Sequence, residues 1–282
     1  MSRVLATGAT GNVGGALIPL LREAGCTVFA GSTRGQRVAG VEGRRVDFLD
    51  KKTLPAAFED IDAALIVTPA HPQMVAMTTN AVAAAKAGGV QHLVRVSGAG
   101  ADPASPIAIA RVQGQCDEEV IESGIPYTLL RPVNFMQNFA TFIRDMIRTG
   151  TMYSSQGDGR VPFIDARDVA LVAATVLKDP AAHAGRAYTL TGPEALTNAE
   201  AMRIIGEVIG KSIGLVSIAE DAAVLAMRQT GMPEEVVEMM SSLNRIIAAG
   251  YAAGLTDTVR AVTGCAPRTL AAFAREHAAT WQ

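Results

Sequence analysis

The stretch "VLATGATGNVGGAL" sets Gly8, Gly11 and Gly14 three residues apart, between an apolar run that reads as a strand and a periodic run that reads as a helix. Each glycine has its own use in such a turn. Gly8 permits the tight bend, Gly11 removes a side chain where backbone approaches a pyrophosphate, and Gly14 lets the helix pack close to the strand. The helix N-terminus then offers unpaired N–H groups and the positive end of its dipole to phosphate. Glycine triplets also occur in turns that bind nothing. Here the strand before and the helix after, inside a βαβ unit, point to dinucleotide binding.

The end of the second strand selects the cofactor. NAD calls for an acid there, to accept from the ribose 2′-OH. The sequence is "FAGSTRGQR", with no Asp or Glu from Cys26 to Val41. It offers Ser32, Thr33, Arg34 and Arg37 instead. A guanidinium pairs with a 2′-phosphate, which an acid would repel. NADP(H) is therefore the expected cofactor, with Arg34 as its main contact and Arg37 as a solvated loop residue. Asp47 and Phe48, at the end of the third strand, have two readings: they flank the adenine, or they hold a strand edge.

The stretch "ARVQGQCDEEVIESGIPYTLLRP", residues 110–132, reads as helix, turn and strand. Its helix carries Gln113 where a reductase of this design often keeps a proton donor. Glutamine forms hydrogen bonds but supplies no proton at neutral pH. Tyr127 is the nearest phenol. It reads either as a core tyrosine with a bonded hydroxyl or as an alternative donor. Arg111 and Asp117 on the same helix read as surface or helix-terminus charges.

These residues need a scaffold, and the apolar pattern supplies one. "RVLAT", "TVFAGS", "RRVDF", "DAALIVT", "HLVRVS" and "PYTLLRP" are strand candidates, separated by helical stretches such as "VGGALIPLLREAG" and "PQMVAMTTNAVAAAKAGG". Alternating strands and helices imply right-handed crossovers and a parallel sheet covered on both faces. The expected fold class is α/β, a Rossmann-type doubly wound parallel sheet with a smaller, mostly helical C-terminal substrate lobe. Residues 1–150 are expected to form the NADP(H)-binding domain, to which the chain returns around 160–192, and 193–282 the lobe that closes over the strand ends. The segment 134–150 reads as helical, and Thr197 followed by Glu200 has the spacing of a capping box.

Composition excludes several classes. The formal charge is −2 and there is no Lys/Arg run, so nothing favours nucleic acid as a partner. Cys26, Cys116 and Cys265 are far apart, which argues against a disulfide framework or thiolate metal site and fits a reducing cytoplasm. His71, His92, His183 and His277 lack ligand spacing and read as surface or loop residues, so no metal is expected. "MSRVLATG" lacks the pattern of a signal peptide, and no apolar run is long enough for a membrane span.

Taken together, "TGATGNVGG", "GSTR", "VDFLD", "SGIPYTLLRPVNFMQNF" and "FIDARDVA" resemble the NmrA-like branch of the atypical short-chain dehydrogenase/reductase superfamily. The resemblance covers nearly the whole chain and is strongest before residue 175. It implies a place on the pyrophosphate for Gly8, Thr10, Gly11, Asn12, Val13 and Gly14, and on the 2′-phosphate for Arg34. It implies Thr68 and Pro69 beside the ribose, Ser97 and Gly98 near the nicotinamide, and Pro132, Val133 and Asn134 by the carboxamide. Phe135 and Asn138 would face the substrate, although packing explains Phe135 equally well. The Tyr-x-x-x-Lys pair of ordinary short-chain dehydrogenases is missing from "PIAIARVQGQCDEEVIES". Isoflavone-reductase-like members place a catalytic Lys thirteen residues before the Pro of "GIPYT", and that count from Pro126 lands on Gln113.

The resemblance implies two functions. One is an NADPH-dependent reductase passing hydride to a planar, electron-poor small molecule such as a quinone, an azo dye or a conjugated carbonyl or imine, as quinone, azo-dye and triphenylmethane-dye reductases of this branch do. The other is an NADP(H)-sensing regulator that catalyses nothing. Met-rich "AMRQTGMPEEVVEMMSS" reads as an adaptable apolar wall or as plain helix packing.

Overall fold

The computed structural model describes residues 2–282. The chain forms two compact units. The first comprises residues up to Pro106, Ala110–Pro132 and Val169–Thr189; the second comprises Ile107–Ile109, Val133–Asp168 and Leu190–Gln282.

The first unit is built on β1 (Arg3–Thr7), β2 (Thr27–Ser32), β3 (Glu42–Arg45), β4 (Ala63–Val67), β5 (His92–Val96) and β6 (Tyr127–Pro132). Between them run α1 (Asn12–Glu23), α2 (Leu54–Phe58), α3 (Met74–Ala87) and α4 (Ala108–Ile121). After α5 (Gln137–Ala140), α6 (Arg144–Thr149), β7 (Thr151–Ser154) and α7 (Ala166–Lys178), β8 (Arg186–Leu190) joins the same sheet, whose order is β3-β2-β1-β4-β5-β6-β8. The pairs from β3 through β6 are parallel. Gly185 N donates to Tyr127 O at the start of β6, and Val133 N to Leu190 O at its end, which is the parallel sense for β8. Strand order reverses between β1 and β4, so the carboxyl ends of these two strands mark the switch point where such sheets take ligands.

Strand periodicity divides the core. Leu5, Phe29, Ile66, Leu93 and Leu129 face one side and pack with Phe58 of α2, Met77, Ala81 and Ala85 of α3, and Val120 of α4. Alternate residues such as Val4, Ala30, Leu65 and Val94 point the other way and are also buried. Burial on both faces explains why these strands read as unbroken apolar runs.

In the second unit α8 (Asn198–Ile209) is followed by β9 (Gly214–Ser217), which pairs in parallel with β7, and by α9 (Glu220–Gln229), α10 (Glu234–Ala248), α11 (Thr258–Thr263) and α12 (Leu270–His277). Its core joins Met136, Phe139, Ile147, Met152 and Phe163 to Met202, Phe273 and Trp281. Thr197 and Glu200 form the expected capping box at the start of α8.

Four details differ from the sequence reading. The first domain ends at Pro132, not at 150, because residues 133–168 share the core of the second unit. The third strand begins at Glu42: after Val46 N donates to Ser32 O the chain turns, with Asp47 N bonded to Thr53 Oγ1. The expected helix over 134–150 breaks at Thr141, whose φ of −124° and ψ of −86° are not helical. The strand β9 carried no apolar signal because its residues are largely exposed.

Candidate functional site

At the switch point Thr7 stitches β1 to β4. Its Oγ1 donates to Leu65 O at 2.8 Å and accepts from Val67 N at 3.0 Å. The chain then turns through Gly8, whose φ of +63° lies in the left-handed region that disfavours side chains. Gly11 N donates back to Gly8 O at 2.8 Å, and α1 starts at Asn12. A Cβ on Gly14 would lie 2.4 Å from Gly8 O and 2.7 Å from Thr7 O, so this position admits no side chain. Gly11 caps α1 without a side-chain bond, and the first turn holds no acid. Thr10, Gly11 and Asn12 are exposed, while Val13 is buried. The helix end is thus an uncapped set of N–H donors with no competing carboxylate, which fits a pyrophosphate.

The segment after β2 has four arginines, and three have work within the protein. Arg37 Nη2 donates to Gly40 O. Arg44 lies 3.8 Å from the Phe29 ring centroid and donates to Ala57 O and Glu59 O at the end of α2. Arg45 pairs with Asp50 at 3.4 Å. Arg34, also exposed, has no hydrogen bond or ion pair among the described residues. Thr33 beside it is exposed, and Ser32 Oγ is occupied, donating to Gln36 and accepting from Gly35 N. Asp47 caps Leu49 N, and Phe48 packs into the core, with Phe48 O accepting from Asn80.

Further along the carboxyl edge lie Thr68 and Pro69 after β4, Ser97 and Gly98 after β5, and Pro132 at the end of β6. Ala99 N donates to Pro132 O at 2.9 Å and ties two of these ends together. Ser97 Oγ is buried with no partner among the described residues. Gly98 leaves room for Gln113: a Cβ there would be 3.3 Å from Gln113 Cγ.

Gln113 is held by a polar network that sequence reasoning missed. Arg95, fully buried on β5, donates through Nη2 to Gln113 Oε1 at 2.6 Å and through Nη1 to Asp117 Oδ1 at 2.5 Å. Asp117 Oδ2 accepts from Arg131 Nε at 3.1 Å and Nη2 at 2.9 Å. Two periodicities produce this cluster. Leu93, Arg95 and Ser97 share one face of β5, and Leu129 and Arg131 one face of β6. Gln113, Asp117 and Val120 share a stripe of α4 at helical spacing. Strands and helix therefore pass together from apolar to polar residues toward the carboxyl edge. The signal in the sequence is an arginine in the middle of the otherwise apolar strand "HLVRVS".

Two expectations need correction, and of the two readings of Tyr127 the core one holds. Asp117 is not a surface charge but is buried between two guanidiniums. His92 is buried, not on the surface; its Nε2 lies 3.0 Å from Thr128 Oγ1, and burial, then the nearby His183, lowers its pKa to about 4. Tyr127 is not brought to Gln113. It pairs with Leu93 at the amino edge of the sheet and packs against the core, while Gln113 lies against Gly98 at the carboxyl edge.

Phe135 and Asn138 belong to the second unit. Both are half-buried, Phe135 pairing with Ile164 and Asn138 following it at the start of α5. Nearby, "FIDARDVA" carries two buried carboxylates, Asp165 and Asp168. Buried Asp165 accepts from Gln137 Nε2 and from Arg167; burial acts to raise its pKa, but these hydrogen bonds outweigh it and hold the carboxyl below its ordinary value. Asp168 pairs with Arg268, yet burial still pushes its pKa up. Of the Met-rich segment, Met239 is core and its neighbours Met227, Met232 and Met240 are half-buried. Among the described residues no helix is long and apolar enough to cross a membrane.

Known proteins share this architecture. An NAD(P)H azoreductase from Xenophilus azovorans is 38% identical over 283 residues, covering 99% of each chain. The triphenylmethane reductase of Citrobacter sp., solved with NADP(H), superposes with a TM-score of 0.82 at 26% identity, covering 99% of this chain and 100% of that one. An NADPH-dependent quinone oxidoreductase from Escherichia coli, solved with NADPH, gives a TM-score of 0.83 at 25% identity, covering 97% and 99%. The profile of the NmrA-like family matches residues 1–263, and the chain belongs to that family.

Proposed function

We propose that the protein is an NADPH-dependent oxidoreductase whose acceptor is a planar, electron-poor small molecule, a quinone, an azo dye or a conjugated carbonyl or imine. The observation that carries this reading is the glycine turn at the β1–β4 switch point, where a Cβ on Gly14 would collide with backbone and α1 presents uncapped N–H donors. The unpaired Arg34 beside it supports NADP(H) over NAD(H). The reductase relatives, one 38% identical and two solved with the phosphorylated cofactor, support the same assignment.

In this reading Gly8, Thr10, Gly11, Asn12, Val13 and Gly14 hold the pyrophosphate, and Arg34 with Thr33 the 2′-phosphate. Backbone at Asp47 and Phe48 borders the adenine, since the Phe48 side chain is core. Thr68 and Pro69 border the ribose, and Ser97, Gly98 and Pro132 the nicotinamide. When bound, the reduced nicotinamide supplies a hydride, and a quinone taking it with one proton from water becomes a hydroquinone. Gln113 orients the acceptor by donating a hydrogen bond. Delocalised acceptors of this kind need no protein acid, so the protein contributes position and water exclusion.

The test combines titration of NADPH and NADH with an absorbance screen for NADPH consumption against quinones, azo dyes and conjugated carbonyls. Turnover with preference for NADPH supports the reading. Tight NADPH binding without turnover across the panel favours a regulatory NADP(H) sensor instead.

A further inference from the structure

A guanidinium has five N–H donors and no acceptor. The amide of Gln113 must therefore turn its oxygen toward Arg95, 2.6 Å away, and its Nε2 the other way. Arg95 cannot itself swing aside, because it is fully buried and its other terminal nitrogen is bound to Asp117. Gln113 is half-buried, and its Nε2 has no hydrogen-bond partner among the described residues. The side chain lies against Gly98, where the missing Cβ makes its room. What this edge of the sheet presents is an N–H donor of fixed direction. The charge behind it is also fixed: Arg95 and Arg131 share the single carboxylate of Asp117, which leaves one positive charge in excess.

We propose that Arg95 is a positioning residue that fixes the Gln113 amide with Nε2 as the exposed group, so that the site selects acceptors presenting a lone pair, such as a quinone oxygen or an azo nitrogen, over cationic acceptors. The inference rests on the reductase reading and specifies its substrate class. A lone-pair acceptor gains electron density as it takes hydride, and the amide N–H and the excess positive charge both stabilise that change. A cationic acceptor loses charge in the same step. It offers no lone pair at the reacting centre and meets a donor and a like charge on binding.

The test measures kcat/KM at saturating NADPH for a neutral naphthoquinone and a cationic triphenylmethane dye. Wild type should favour the naphthoquinone. Gln113→Glu is close to isosteric, but it puts a carboxylate oxygen where Nε2 stood. It should lower naphthoquinone turnover more than tenfold and leave dye turnover equal or higher. Gln113→Met, which keeps the volume without donor or charge, should lower naphthoquinone turnover without raising that of the dye. Arg95→Lys reaches only one of its two partners and lets the amide rotate. It should lower the naphthoquinone-to-dye ratio severalfold, whereas a loss of folded protein would lower both activities equally. An active Gln113→Glu with the wild-type ratio overturns the inference, and an active Arg95→Lys with that ratio overturns the role of Arg95. Bound NADPH with no turnover of either acceptor by wild type overturns the reductase reading beneath it.

Discussion

Arg95 on β5 and Asp117 on α4 form an ion pair at 2.5 Å whose side chains are 1% and 2% exposed. This pair, completed by Arg131, fixes the register of α4 against the sheet at the end where Gln113 sits. Breaking a buried pair leaves a charge without compensation, at a cost of about 3–5 kcal/mol. Asp117→Ala should lower stability by about that amount in urea unfolding. A loss below about 1 kcal/mol, the range of exposed pairs, would contradict the burial described.

Arg34→Ala should weaken NADPH binding by about ten- to hundredfold, the equivalent of one charge-assisted contact at roughly 1.5–3 kcal/mol. NADH binding should hardly change, because Arg34 has no partner within the protein among the described residues. Equal losses for both cofactors, measured by titration, would show that Arg34 supports the fold instead.

Gly14→Val should abolish cofactor binding while the protein stays folded with reduced stability. Its Cβ would fall 2.4 Å from Gly8 O, so α1 must move off β1 and take its N–H groups with it. Overpacking of this kind costs about 1–3 kcal/mol. A soluble, folded variant that binds NADPH with normal affinity would remove the glycine turn from the site.

Much of this arrangement was legible in the sequence, and the gaps have physical causes. The glycine turn and Arg34 act through local chain geometry, so their spacing carries their meaning. The strands that form the sheet are apolar because both faces are covered. The network around Gln113 depends on a crossover that brings residues 95, 113, 117 and 131 together, and only the three-dimensional pairing shows that Asp117 is buried. In "QGQCDEE" it looks like one more helix-surface acid. His92 was misread for a similar reason, since its partner Thr128 lies on the neighbouring strand. The domain boundary was displaced because residues 133–168 carry no compositional break. What assigns them to the second unit is a shared core with segments a hundred residues later.

His92 makes stability depend on pH. Its pKa is lowered from 6.5 to about 4 by burial, so the folded state keeps it neutral while the unfolded chain takes up a proton. Between about pH 6.5 and 4 the unfolded state binds more protons, and stability falls as pH falls, by up to about 3 kcal/mol from this group. Denaturant unfolding across this window should show the slope in wild type and a flatter one in His92→Gln. Identical slopes would assign the effect to other groups.

Gln113→Ala should lower turnover of a non-titrating quinone by about tenfold, the scale of one neutral hydrogen bond at roughly 0.5–1.5 kcal/mol. The wild-type rate should show no sharp ionisation between about pH 6 and 9, because an amide does not titrate there. A general acid contributes roughly 10²–10⁴ in rate. A thousandfold loss in Gln113→Ala, or a steep pH profile, would place a proton donor in the site that this account lacks.

The central claim, NADPH-dependent reduction of a lone-pair acceptor, is tested most directly by stoichiometry. With purified protein, a naphthoquinone and limiting NADPH, the loss of NADPH absorbance and the hydroquinone formed are measured in the same anaerobic sample, with NADH in parallel. The account predicts one hydroquinone for each NADPH consumed, catalytic in protein, with NADH at least tenfold less effective in kcat/KM. NADPH bound tightly but not consumed, or consumed without hydroquinone, would contradict it.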